Sequence, residues 1–355
     1  MSVKITLIFI VLVVSVSCTL DRPKESLRTR KLVDTVGFTQ YKWQLDSILN
    51  RIDIADFKSI DTAYTAVICP HDDYKYAAGL FNKTLSGIKA KTVILIGVAH
   101  RARNFNLENK LIFGSFKDWK SANGFIKVSP LRDKILQKLK KTTFIVHDSM
   151  MQLEHSLEAI NPFLQKNDPK VEILPLLVPY MTFENMQDFS DEMSKVVFEL
   201  LEGNNLQLGK DVAIVISNDA IHYGDEGWGS KNMAPFGVHS LGTEKALALD
   251  KEIIDNCLIG EISENKINMF NQYTVQTDNY KEYKWTWCGR YSVPFGLLFA
   301  NKLNVLVHGK ELKGNLIDYR TTIHNKHIKV EDIGMGVTAK ANQHHWVGFT
   351  GISFN

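Results

Sequence analysis

Cysteine is scarce in this chain: four residues in 355 are too few for a disulfide framework at this length. An excess of one charge is missing as well. Lysine and arginine number 42 against 39 aspartates and glutamates, a formal net charge of +3. The basic group Lys138, Lys140 and Lys141 reads as the solvated face of a helix, not as a stripe that tracks phosphates. Nucleic acid is therefore not an expected partner. No glycine-, serine- or proline-rich linker, low-complexity tract or internal repeat divides the sequence, so residues 36–355 are read as one folded domain. That length is near the upper limit for a single hydrophobic core. Long apolar runs are also wanting: Ile5–Val14, broken by Thr6, is too short to span a membrane as a mature helix.

What is present begins with that run. Lys4 supplies a charge ahead of it and Ser15-Val16-Ser17-Cys18 comes after it, the layout of a secretory signal over residues 1–17. A cysteine directly after a small residue at the end of the apolar block resembles the lipobox of bacterial lipoproteins, although Ser15 stands where that pattern usually has leucine. Cys18 would then carry lipid and hold the mature chain to the membrane of the cell envelope. Residues 18–35, polar and charged through Asp21–Lys31, would be the tether. The alternative is an uncleaved anchor helix, which would still leave the domain outside the cytoplasm.

The domain is organised around residues 63–100. Ala66, Val67, Ile68 and Cys69 form a short apolar block before Pro70 and His71, and Val93, Ile94, Leu95 and Ile96 form another ahead of Gly97 and His100. Such continuous runs read as buried parallel strands. Between them Tyr76, Ala77, Leu80, Phe81 and Leu85 fall on one helical face, bounded by Ser86 and Gly87. A right-handed crossover then sets the two strands side by side. The expected fold is α/β: a single three-layer α/β/α domain with a mainly parallel central sheet. Both strands end at one edge, where open α/β sheets place their ligand crevice, and His71 and His100 project into it. Either histidine alone is as well explained by capping a strand; the pair at matched strand ends points to a site.

A third run repeats the theme. Val212–Ile216 leads into a polar turn bearing Asp219 and His222, which would reach the same edge as acid/base groups or as groups that orient ligands. The plainer reading makes them a turn residue and a packed histidine. From Phe144 the chain changes from strand to a helix starting near Asp148 or Ser149, on which Glu154 and Glu158 lie one turn apart with His155 beside the first. Such a pair could aim at a crevice or simply at water, and position alone favours water. Residues 170–179 read as another buried strand, and Phe183–Leu201 as a helix whose Met186, Phe189, Met193 and Val197 are core. Cys257 reads as a small buried hydrophobe. Cys288-Gly289-Arg290 precedes a helix over Ser292–Asn301, so this thiol lies near a helix N-terminus with an arginine close by, two features that lower a thiol pKa. A Cys69–Cys288 bridge ranks below one free thiol at the site. Two late alternating runs, LIDYRTTIH and WVGFTGISF, close the sheet, with His344 and His345 at its edge.

Five stretches carry a resemblance that spacing does not establish. CPHDDYKYAAG, ILIGVAHRAR, LEHSLEAINPFLQ, SNDAIHYG and CGRYSVPFGLL occur in the order of the motifs of the Memo family, also known as AmmeMemoRadiSam system protein B, from about residue 60 to the C-terminus. That family in turn resembles class III extradiol dioxygenases of the LigB type. The resemblance implies an α/β fold with a metal crevice, His71, His100 and Cys288 as ligands, and Asp219 and His222 beside them. Glu154, His155 and Glu158 match a helix motif of the family to which no role is assigned. A functional link to AMMECR-type and radical SAM proteins is implied too. Two departures matter. The usual PHAGY is PHDDY here, so Asp72 and Asp73 would bring charge or an oxygen ligand to the crevice; and an export signal stands in a family often thought of as intracellular.

Two imidazoles and one thiolate are softer than the two-histidine, one-carboxylate face of non-haem iron oxygenases, so the set would hold iron or copper, with zinc a further candidate. The leading expectation is a metal-dependent oxidoreductase in which Asp219 or His222 handles protons. The others are a non-catalytic module that sequesters iron or copper, and a scaffold whose crevice receives a small molecule or a peptide.

Overall fold

The computed structural model describes residues 29–57, 62–229 and 231–355; the expected signal sequence and Cys18 lie outside them. In chain order the strands are β1 (Thr29–Arg30), β2 (Ala66–Cys69), β3 (Thr92–Val98), β4 (Leu111–Phe113), β5 (Asp118–Ser121), β6 (Gly124–Val128), β7 (Phe144–Val146), β8 (Glu172–Val178), β9 (Val212–Ser217), β10 (Asp219–Tyr223), β11 (Gly260–Glu261), β12 (Lys313–Thr321) and β13 (Trp346–Phe354). They form one sheet in the order β1-β5-β6-β8-β3-β9-β2-β13-β12-β11, with β4 on β8, β7 on β4 and β10 on β13. From β6 through β8, β3 and β9 to β2 every pairing is parallel, and β13 then runs antiparallel between β2 and β12.

The helices are α1 (Lys42–Leu49), α2 (Tyr74–Leu85), α3 (Leu131–Lys138), α4 (Asp148–Leu153), α5 (Asn161–Asn167), α6 (Phe183–Gly203), α7 (Ser240–Ile253), α8 (Glu264–Thr274) and α9 (Ser292–His308). Successive strand residues point to opposite faces, and both faces are covered. Ile68, Ile94, Ile96, Ile214 and Ile216 pack with residues of α3, α6, α7, α8 and α9. Val67, Val93, Leu95, Ala213 and Val215 pack with α1, α2, α4 and α5. Burial on both sides is why these strands read as unbroken aliphatic runs, each valine, leucine or isoleucine contributing about 1.5–3 kcal/mol. The α/β/α layering expected from the sequence is present.

Three local expectations are corrected. β2 and β3 are not neighbours: β9 lies between them and pairs with both, Ile216 standing opposite Ile68 and Ile96. All three runs are equally apolar, so composition gave no choice of neighbour. The helix expected to carry Glu154 and Glu158 ends at Leu153, and His147, not Asp148 or Ser149, caps it by accepting the Met150 amide at 3.0 Å. The described end of the expected tether packs onto the domain. Arg30 is wholly buried, its Nη1 meets Glu158 Oε1 at 2.5 Å, and its guanidinium covers Trp119 at 4.2 Å. Glu158 also accepts the amides of Val33 and Asp34 at 2.7 and 3.0 Å. A charged stretch reads as solvated until its buried counter-charge is known, and that partner lies far along the chain.

Candidate metal centre

β2, β3 and β9 stop at one edge of the sheet, and His71, His100 and Asp219 come just beyond their last residues. Parallel neighbours of matched register deliver the residues after them to one place. Cys288 arrives from the loop ahead of α9. Gly289 is needed there because the loop presses on the chain after β9: a Cβ would lie 2.3 Å from Asn218 Oδ1, which instead accepts the Gly289 amide at 3.0 Å. The ligand atoms of His71, His100 and Cys288 all lie within 4.8 Å of one another. A second group on the same criterion is His100, Glu154 and His155.

Hydrogen bonds orient the rings. The Ser217 hydroxyl donates to the Ser156 carbonyl at 2.5 Å, so its oxygen accepts from His71 Nδ1 at 2.7 Å. His71 Nε2 is left with its lone pair toward Cys288 Sγ at 3.4 Å and Asp219 Oδ2 at 3.3 Å. His100 Nδ1 bonds Glu154 Oε1 at 2.8 Å, and the same carboxylate accepts the amides of His100 and Ser156 at 2.8 and 3.0 Å. Burial resists the charge of Glu154, but His100 beside it holds the carboxyl at about 2. Burial also disfavours charge on His100, and Glu154 outweighs it, raising the imidazole.

The other groups are set mainly by burial. His71 is pushed well down by burial and then by the neighbouring imidazoles. His155 and His222 are each pushed down to about 4 by burial and then by His100, so both are neutral near pH 7. Burial pushes Asp219 up to about 7, although its carboxylate accepts the His71 amide at 2.9 Å. The expected lowering of the Cys288 thiol is not found. The residue is 5% exposed, and burial, then Asp219, pushes the thiol well up, even though the Asp219 amide donates to the sulfur at 3.1 Å. Arg290 gives it no direct help, since Nη2 donates to Lys281 O and the guanidinium covers the Tyr283 ring.

A crevice of about 400 Å³ opens onto His71, His100 and Asp219 and is walled by Asp34, Asp72, Asp73, His155, His222 and Trp228 among others. His222 packs against Trp228 with ring centroids 5.3 Å apart. Asp72 and Asp73 line the crevice as expected, but neither belongs to a ligand group among the described residues. Asp73 fastens a loop instead, accepting the amides of Thr338 and Ala339 at 2.6 and 3.1 Å. Glu154 and Glu158 are both buried and part company, one to His100 and the other to Arg30. Cys69, Cys257 and Cys288 are all free, so Cys69 and Cys288 are not bridged.

Beyond geometry, comparison with known proteins decides kinship. A family model described as Memo-like protein matches residues 39–337. The chain belongs to the Memo-like family. A MEMO1 family protein of Pyrococcus abyssi is 27% identical over 164 residues, covering 45% of this chain and 53% of that one. One from Caldivirga maquilingensis is 24% identical over 190 residues, covering 52% and 62%. One from Pyrococcus horikoshii is 23% identical over 261 residues, covering 73% and 80%. The chain thus spans little more than half the length of the first of these relatives.

In this Memo-family chain the five residues singled out from sequence, His71, His100, Asp219, His222 and Cys288, lie around one place. Sequence reasoning missed Ser217 and the bond from Glu154 to His100. The only available signal for Ser217 was a polar residue closing an apolar strand. For Glu154 there was only its place in the LEHSLEAINPFLQ motif, because it stands past the end of α4 where helical spacing carries no information.

Proposed function

We propose that this Memo-family protein is a metal-dependent oxidoreductase whose redox metal is held by His71, His100 and Cys288, with Asp219 and His222 moving protons for a small molecule in the crevice. The observation that carries this reading is the convergence of lone pairs. In a buried place His71 Nε2 faces Cys288 Sγ at 3.4 Å and Asp219 Oδ2 at 3.3 Å, with both Nδ1 atoms of the histidine pair committed elsewhere. Such a set needs protons or a cation, and its imidazole and sulfur donors fit a transition metal. Bound iron or copper would supply one-electron chemistry.

The protein's own groups do the rest. Ser217 and Glu154 hold the two imidazoles as donors, and His222, neutral near pH 7, is placed to accept a proton. Asp219, with its carboxyl near 7, can hold or release one at neutral pH. The test is metal analysis of protein purified without added metal, joined to oxygen-consumption screening with catechols and thiols. About one metal per chain is expected, and His71→Ala, His100→Ala and Cys288→Ser should each abolish it. Stoichiometric metal surviving the double histidine change would exclude this site. We further propose that the protein is exported and lipid-anchored at Cys18, on the strength of residues 1–18 alone.

A further inference from the structure

His100 and Cys288 also border a second, smaller cavity of about 80 Å³, whose other walls include Tyr180, Tyr283, Tyr291 and Arg290. Arg290 is only 4% exposed. Its guanidinium lies 3.4 Å from the Tyr283 ring centroid and 4.9 Å from that of Tyr291, and Nη2 donates to Lys281 O at 2.9 Å. Nε and Nη1, on opposite sides of the guanidinium and each able to reach one anionic oxygen, donate to no acceptor. Among the described residues Arg290 has no ion pair, and no carboxylate lines this cavity. A buried cation with two unused donors is costly unless something anionic answers it.

We infer that this cavity is a subsite for a carboxylate group, received by Arg290 between the tyrosines and set against His100 and Cys288. The polarity of the two cavities supports the assignment. Four aspartates, Asp34, Asp72, Asp73 and Asp219, line the larger crevice beside its Arg101, whereas the smaller one offers Arg290 and aromatic walls with no carboxylate. Size limits the guest. A water needs roughly 10–15 Å³ of such space, so the cavity takes a group of a few heavy atoms and excludes a ring. That the carboxylate presents a substrate to a metal rests on the function proposed above; its binding to Arg290 does not.

Calorimetric titration of chelator-stripped protein with formate, acetate, pivalate and the neutral formamide tests this. Formate should bind, formamide and pivalate should not, and Arg290→Gln should weaken formate by roughly tenfold or more, with Arg290→Lys recovering part of the loss. Acetate matching formate supports the carboxylate of a larger molecule as the natural guest; formate alone supports a free small anion. Equal formate affinity in wild type and Arg290→Gln would overturn the subsite. If Arg290→Gln does not fold, the wild-type series decides, since pivalate or formamide binding as well as formate refutes it. Formate binding through Arg290 in a protein that takes up no metal would leave the subsite standing and remove the metal reading.

Discussion

A histidine can present a ligand nitrogen reliably only when its other nitrogen is committed, and His71 and His100 are committed in different ways. Ser217 offers His71 a neutral acceptor, while Glu154 offers His100 a full negative charge held at about 2. Glu154→Gln should therefore leave the fold intact but weaken metal affinity by roughly 10–100-fold, measured by competition with a chromogenic chelator; unchanged affinity would show that the ring needs no such partner. Asp219 and His222 part proton transfer from ligand orientation. If they move protons, Asp219→Asn or His222→Gln should keep metal content while lowering any metal-dependent oxidation by roughly 10²-fold or more. Loss of metal with either change would make them orienting groups, and full metal with full activity would favour sequestration. At this scale His71, His100 and Asp219 were legible because each comes after an apolar strand. The state of Cys288 was not: the sequence displays a nearby arginine and a helix start, whereas burial, which dominates, is a property of the folded surroundings.

Between elements, the site depends on a carboxylate that never reaches it. Asp250 in α7 accepts the Nε1 protons of Trp285 and Trp287 on Oδ1, each at 2.7 Å, and the Tyr319 hydroxyl at 2.8 Å and the Ile221 amide at 3.3 Å on Oδ2. It thereby joins α7, β10, β12 and the loop that delivers Cys288. Burial pushes it up from 3.8 to about 6, so the native state keeps a proton that the unfolded chain has lost. The resulting stability is present in full below the ordinary carboxylate value and disappears as pH rises through about 6. The stability advantage of wild type over Asp250→Asn should hence shrink by up to about 3 kcal/mol between pH 4 and pH 7 in denaturant titrations. A difference independent of pH would contradict this. The elements themselves were legible where continuous runs met strand geometry, as in β2, β3 and β9. Their order was not, because β9 slips between two runs of the same composition, and neither was the Arg30–Glu158 contact, which joins residues 128 positions apart.

Over the whole molecule, the first described stretch of the chain is also part of the crevice wall: Val33, Asp34, Thr35 and Val36 line it, and Glu158 holds Val33 and Asp34 by their amides. No helix among the described residues is long and apolar enough to cross a membrane. On the export reading proposed above, the anchor is the lipid on Cys18. From a lipid on Cys18 the chain to Thr29 can reach at most about 40 Å, which would keep the crevice close to the membrane surface. Anchor and site are nevertheless separable, because the wall is fixed to the domain by Arg30 and Glu158, downstream of the cysteine. Wild type should then partition into the detergent phase from cell membranes. Cys18→Ala should release an unlipidated protein that binds as much metal as wild type, whereas deletion through residue 35 should lose metal or stability by stripping the wall and leaving Glu158 uncompensated. Recovery of wild type from the cytosol with Met1 still in place would refute export. Loss of metal in Cys18→Ala with the fold intact would instead tie the anchor to the site.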